Sequence, residues 1–175
     1  MNLIYELRVC DGCRHGDLQD RLAKARGWSF HVDVTHLGDT EHICVEVEAA
    51  PGFTVPFAAA FTREGFLQKT RKLFRREPQT GDDTFDAAVY IEADDEALTL
   101  GFLEQLGAKS ALWEILAETV DTRQSRVVIT REMVRVRATS SNPGVRREAP
   151  LYTAVLLHYL ELYATERAAT RGPYR

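Results

Sequence analysis

The chain has 175 residues, a formal net charge of −4 and a pI of about 5.8, with 45% hydrophobic and 27% charged residues. This length and composition predict one globular domain, residues 1–170, followed by a frayed tail at 171–175. The acidic balance argues against general nucleic-acid binding, because the chain has no global positive field to hold a polyphosphate.

The N-terminal residues and the cysteine count bear on location. The opening MNLIYELRVCDGC lacks the basic and apolar regions of a signal peptide, and the apolar runs are too short to cross a bilayer. Three cysteines cannot form a closed disulfide framework, which fits a reducing compartment. The sequence therefore predicts a cytoplasmic protein without a membrane span.

The first half of the chain carries helix and strand patterns in turn. Residues 17–26 have helical spacing and are followed by Gly27, a helix-stop residue. Residues 28–35 and 43–48 alternate apolar and polar side chains, which predicts a β-hairpin with one wet face. Phe53, Val55 and Phe57 predict a third strand, which Pro56 would push toward a sheet edge or a bulge. Residues 63–76 are strongly basic and fit either a helix or a pair of strands.

The second half predicts a strand, helices, a second hairpin and a long final helix. Residues 85–91 read as a strand, and a helix with Ser110 as its N-cap is predicted to follow. Residues 126–130 and 133–137 predict the second hairpin. Pro150 suits the first turn of a broad apolar helix that runs to about residue 170. The expected fold class is α+β, an antiparallel sheet built from hairpins and packed by helices that include the long C-terminal one.

A short signature links this order of elements to a known family. Thr80, Gly81, Asp82, Phe85 and Asp86 form a Thr-Gly-Asp-x-x-Phe-Asp pattern. With the element order over residues 17–164, the pattern resembles an uncharacterised bacterial soluble domain family, sometimes found behind a membrane anchor. The resemblance implies the fold. It implies no site residues, since the family has no settled activity.

Cysteines and a histidine offer one candidate metal site. Cys10 and Cys13 form a CxxC pair, and His42 and Cys44 share one face of the first hairpin, so the four side chains are a candidate structural zinc site. Two alternatives stay open: the thiols are inert, or they exchange disulfides. A strand, CxxC and helix resemble the opening of thioredoxin-like proteins, although Gly16 disfavours a helix that begins inside the motif.

Charged segments supply two further candidates. The acidic residues at 82–96 do not have the spacing of an EF-hand calcium loop. Local turn, strand-edge and helix-capping roles are therefore expected for them, with Asp94 or Asp95 as a helix cap, and Phe85 is expected to be buried.

The basic segment, residues 63–76, is either a solvated face or a surface for an anionic partner. That candidate surface consists of Lys69, Arg71, Lys72, Arg75 and Arg76.

The common sequence motifs of enzymes are absent, and we assign no catalytic residue from the sequence. The predicted function is a non-enzymatic interaction or accessory module in the cytoplasm, whose partner is another protein. The alternative is a metal-binding or thiol-redox protein centred on Cys10 and Cys13. No cofactor is expected under the first hypothesis, and zinc is expected under the second.

Overall fold

The computed structural model describes residue 24 and residues 26–37, 42–63, 78–117 and 125–170. Six strands form one sheet in the order β1-β2-β6-β5-β3-β4, and every neighbouring pair is antiparallel. The strands are β1 (Ser29–His36), β2 (Ile43–Ala50), β3 (Ala59–Arg63), β4 (Val89–Ala93), β5 (Arg126–Ile129) and β6 (Val134–Ser140).

Helices cover one face of this sheet. They are α1 (Asp83–Ala88), α2 (Glu96–Leu103), α3 (Leu106–Ala117) and α4 (Val145–Thr170). The long helix α4 packs over β2 and β6, α3 packs over β3 and β5, and the two helices contact each other. The antiparallel sheet with its long C-terminal helix confirms the predicted α+β class. Within the described residues, no helix combines the length and apolar character needed to span a membrane.

The core lies between the sheet and the helices. Alternate residues of β2 and β6 point toward the helix layer, and the valines at 45, 47, 134 and 136 have no exposed surface. Helix α3 approaches α4 closely, since a Cβ on Gly107 would overlap the ring of Tyr159. Burial of apolar side chains of this size contributes about 1.5–3 kcal/mol each, so this layer is the main source of stability.

The prediction of a strand over Phe53, Val55 and Phe57 was wrong. Val55 and Phe57 are fully buried, but the strand β3 begins later, at Ala59. The backbone N–H of Val55 instead donates to the carbonyl of Arg131 at 2.9 Å. Pro56 has no N–H for a strand ladder, which accounts for an irregular segment that still delivers two core side chains.

Residues 85–91 are also not one strand. Their first half belongs to helix α1, and only Val89–Ala93 is extended. The carboxylate of Asp82 accepts from the backbone N–H groups of Thr84 and Phe85, at 3.2 and 3.1 Å. This N-cap satisfies donors that a strand would pair elsewhere, so a short helix forms in a segment of mixed pattern.

Two predicted helix starts were displaced as well. Ser110 lies inside α3, and Pro150 lies inside α4, which already begins at Val145. The turn before α4 explains the earlier start, because Asn142 accepts from the N–H of Gly144 through its side chain (2.8 Å) and from Val145 through its carbonyl (3.2 Å). Other boundaries agree: both hairpins form, and Gly27 follows helical Arg26 with φ of 69°.

Candidate functional site

The acidic stretch is held by local hydrogen bonds. Asp86 is 9% exposed and accepts three bonds, from the N–H of Thr80 (3.0 Å), the hydroxyl of Thr80 (2.8 Å) and the N–H of Gly81 (3.0 Å). Phe85 is 2% exposed, as predicted. The Thr-Gly-Asp-x-x-Phe-Asp residues thus build a closed turn that leads into α1 and β4.

Charged neighbours and caps account for the other aspartates. Lys109 donates to Asp82 Oδ2 at 2.9 Å, and this bond, with the N–H groups of α1, lowers the pKa of the Asp82 carboxyl. Asp95 caps α2 by accepting from the N–H of Leu98 at 3.0 Å, and Asp94 accepts from the N–H of Ala58 at 2.7 Å. The expected capping role is confirmed for Asp95, and nearby backbone N–H groups account for Asp82 and Asp86. Asp94 instead bonds to a residue 36 positions away along the chain.

The candidate zinc ligands fall partly inside the described residues. His42 directly precedes β2, and Cys44 is the second residue of that strand, buried and free. Cys44 lies on the face of the sheet away from the helices, where contact with its sulfur raises the pKa of Arg137. Cys10 and Cys13 lie outside the described residues. Inside them, no group of three or more His, Cys, Asp or Glu side chains is arranged to hold a metal.

The predicted anionic-partner surface cannot be placed on this fold. Lys69, Arg71, Lys72, Arg75 and Arg76 all lie in residues 64–77, outside the described residues. The surface stays a prediction.

The face of the sheet away from the helices carries charges of both signs. Arg135 and Glu48 pair at 2.6 Å, Arg137 and Glu46 at 3.3 Å, and Arg126 and Glu92 at 3.8 Å. Each of these side chains is about half exposed, so each pair contributes at most about 1 kcal/mol. The surface around these three pairs is open to solvent, whereas Cys44 on the same face is buried.

The edge strand β1 differs from the rest of the sheet because it is exposed on both faces. Its helix-side residues Val32 and Val34 are 38% and 39% exposed. Their partners on β2, Val47 and Val45, are fully buried. Neighbouring strands lie about 4.8 Å apart. The helix layer therefore covers β2 but ends before it fully covers β1, one strand spacing away. Two apolar side chains are thereby left open to solvent at the sheet edge.

Two polar contacts place α4 beside the ends of β1. Arg146 near the start of α4 lies 2.9 Å from His36, the last residue of β1. Arg26, just before β1, pairs with Glu161 of α4 at 2.8 Å. The helix therefore runs antiparallel to β1, and Val32 and Val34 lie between these two polar contacts. His158 lies near Arg26 and Glu161 on the same side of α4. Its pKa is lowered, mainly because its side chain is partly buried and secondly because Arg26 is nearby, and Glu161 opposes this shift.

The backbone of β1 is equally open. Eight consecutive residues pair with β2 without a bulge, and no other strand in the described part of the chain joins the opposite edge. The strand SFHVDVTH contains no Pro or Lys, two residues that commonly protect edge strands. We define the β1 edge as this strand, including its helix-side residues Phe30, Val32 and Val34.

The other edge of the sheet is protected. Strand β4 has five residues, and Val89, Tyr90 and Ile91 are buried. Helix α1 packs beside it. The contrast singles out the β1 edge as the candidate functional site, because a long edge strand without a bulge and with exposed apolar residues on one face is a template for pairing with another chain.

The sequence predicted the strand but not the exposure of Val32 and Val34. The alternation from Trp28 to Thr35 indicated which side chains share a face. We therefore expected the apolar face of the hairpin to be buried. The structure corrects that expectation for β1. The one sequence signal was the absence of protective residues within the strand.

Comparisons with known proteins add no relative to these findings: no family model, curated protein or solved structure matches the chain. Membership of the Thr-Gly-Asp-x-x-Phe-Asp family therefore stays a prediction.

Proposed function

We propose that this chain is a non-enzymatic protein-interaction module of the cytoplasm, and that it binds its partner by strand addition at the β1 edge. One observation carries the proposal: Val32 and Val34 are more than a third exposed on a strand whose outer backbone edge has no neighbour among the described strands. Backbone hydrogen bonds would supply affinity, and the alternate side chains of β1 would supply selectivity.

Charge and thiol chemistry support the remaining parts of the proposal. The net charge of −4 favours a protein partner over a nucleic acid. Cys44 is a buried free thiol, a state that a reducing compartment maintains. The acidic residues described above serve the fold, so they leave no carboxylate pair that favours an acid–base reaction.

Photo-crosslinking in cells tests the proposal. Benzoylphenylalanine at position 35, on the exposed outer face of β1, is expected to give one discrete adduct. The same residue at position 92, exposed on the opposite edge strand, is the matched control and is expected to give none. The adduct must also disappear when lysines replace Val32 and Val34.

Two results would contradict the interaction module. One is the absence of any adduct from positions 31, 33 and 35. The other is measurable turnover by the isolated chain in assays of thiol exchange, hydrolysis or phosphoryl transfer.

A further inference from the structure

We propose that the partner of the β1 edge is a second copy of this chain, paired antiparallel through β1 with Val32 opposite Val32 of the other copy. This inference rests on the proposed function and names its partner. The two sheets would join into one continuous sheet, to which the described part of each copy contributes six strands.

The faces of the two sheets restrict the register. Apolar Phe30, Val32 and Val34 point to the helix side, while His31 and Asp33 point to the outer side. Directly opposed residues of an antiparallel pair share a face. An even-numbered residue of β1 must therefore lie opposite an even-numbered residue of the other copy, and an odd-numbered residue opposite an odd-numbered one. A two-fold axis must therefore pass through a residue pair.

The pairing of His31 with Asp33 selects one register among these. With the axis at Val32, His31 of each copy lies opposite Asp33 of the other, so that an imidazole N–H can donate to a carboxylate at two places on the outer face. With the axis at Asp33, the two aspartates oppose each other. With the axis at His31, the two histidines oppose each other and Asp33 lies opposite Ser29. Two opposed aspartates are destabilising, and an axis at any residue other than Val32 leaves His31 and Asp33 without each other as partners, so the Val32 axis is favoured.

The same register matches the apolar side chains. Val32 meets its own copy, and Phe30 lies opposite Val34 on both sides of the axis. On the outer face, Ser29 lies opposite Thr35. All seven residues 29–35 are thus paired either with a residue of like character or, for His31 and Asp33, with a hydrogen-bonding partner. The exposed valines would then be covered by apolar side chains of the second copy.

A charge swap in the purified full chain tests both pairing and register. His31→Asp places two aspartates opposite each other at both outer pairs, and Asp33→His places two histidines there. Each variant alone is expected to dimerise about tenfold more weakly than the wild type in sedimentation equilibrium. A mixture of the two variants is expected to form a heterodimer of wild-type affinity, because each Asp then faces a His. Circular dichroism verifies that both variants fold.

Cysteine placement gives an independent measure of the register. In a Cys10→Ser/Cys13→Ser background, Val32→Cys is expected to form an intermolecular disulfide on mild oxidation, because opposed Cα atoms in an antiparallel pair lie about 4.5–5.5 Å apart. Val34→Cys is the control and is expected to stay reduced, since Phe30 lies opposite it.

The outcomes separate this inference from the proposed function. A wild-type chain that remains monomeric at about 100 µM would overturn self-pairing, because a micromolar dissociation constant predicts mostly dimer there. A dimer unaffected by the charge swaps would overturn it as well. If the in-cell adduct from position 35 then contained a different protein and required Val32 and Val34, the proposed function would stand without self-pairing.

Discussion

Replacing both Val32 and Val34 by lysine is expected to weaken partner binding by about 100-fold, or about 2.8 kcal/mol. The two side chains are the exposed apolar residues of the β1 edge, at 38% and 39% exposure. Pairing would bury them, and a charged side chain on the inner face of an edge strand opposes strand addition. The measurement is the dissociation constant of the purified chain in sedimentation equilibrium, with the yield of the position-35 adduct as its counterpart in cells.

The double variant should remain folded, because substitutions at exposed positions usually change stability by less than about 0.5 kcal/mol each. Val128→Lys is the matched control. It makes the same replacement on β5, on the sheet face away from the helices and two strands from β1's neighbour β2. Normal association of the double variant, or equal weakening by Val128→Lys, would contradict the assignment of the interface to β1.

Asp86→Ala is expected to lower the free energy of unfolding by about 3 kcal/mol, since hydrogen bonds to a charged acceptor contribute about 1.5–3 kcal/mol each and do not add fully. The buried carboxylate accepts from both the backbone and the hydroxyl of Thr80 and from the backbone of Gly81. Removing it leaves these donors without their acceptor at the entry to α1. Urea unfolding followed by circular dichroism measures the loss.

The neighbouring acid supplies a control for this prediction. Asp83 is exposed in the first turn of α1, where a carboxylate interacts with the helix dipole. Asp83→Ala is expected to cost only about 0.5 kcal/mol. If the two alanine variants lost equal stability, the closed turn around Asp86 would not be a main support of this region.

Much of the fold could be predicted from local patterns. Period-two alternation identified both hairpins, and Gly27 marked a helix end, because these signals depend on a few adjacent residues. The prediction of a strand over residues 85–91 was wrong because the structure there depends on a residue outside the segment. Its apolar residues suit a strand, whereas the cap from Asp82 favours a helix in its first half. Pro150 likewise marked a helix start in the sequence, whereas the turn at Asn142 begins α4 earlier.

The candidate site could not be predicted from local patterns, because it depends on how far helix α4 covers the sheet. Alternation in β1 shows that Val32 and Val34 share a face, but it cannot show whether α4 extends far enough to cover them. That coverage is set by where α4 crosses the sheet, over β2 and β6. The sequence therefore predicted a protein partner in general terms, and the packing of one helix indicates the strand at which we propose that it binds.

Amide hydrogen exchange on β1 tests the central claim most directly. In dilute purified protein, every second amide between residues 29 and 36 should exchange at nearly unprotected rates, because it points away from β2, while the amides of β2 stay protected. Raising the protein concentration, or adding the protein captured from position 35, should slow exchange at these β1 amides. Protection of β1 equal to that of β2 in the dilute chain would mean that the edge is already covered, and would contradict the account.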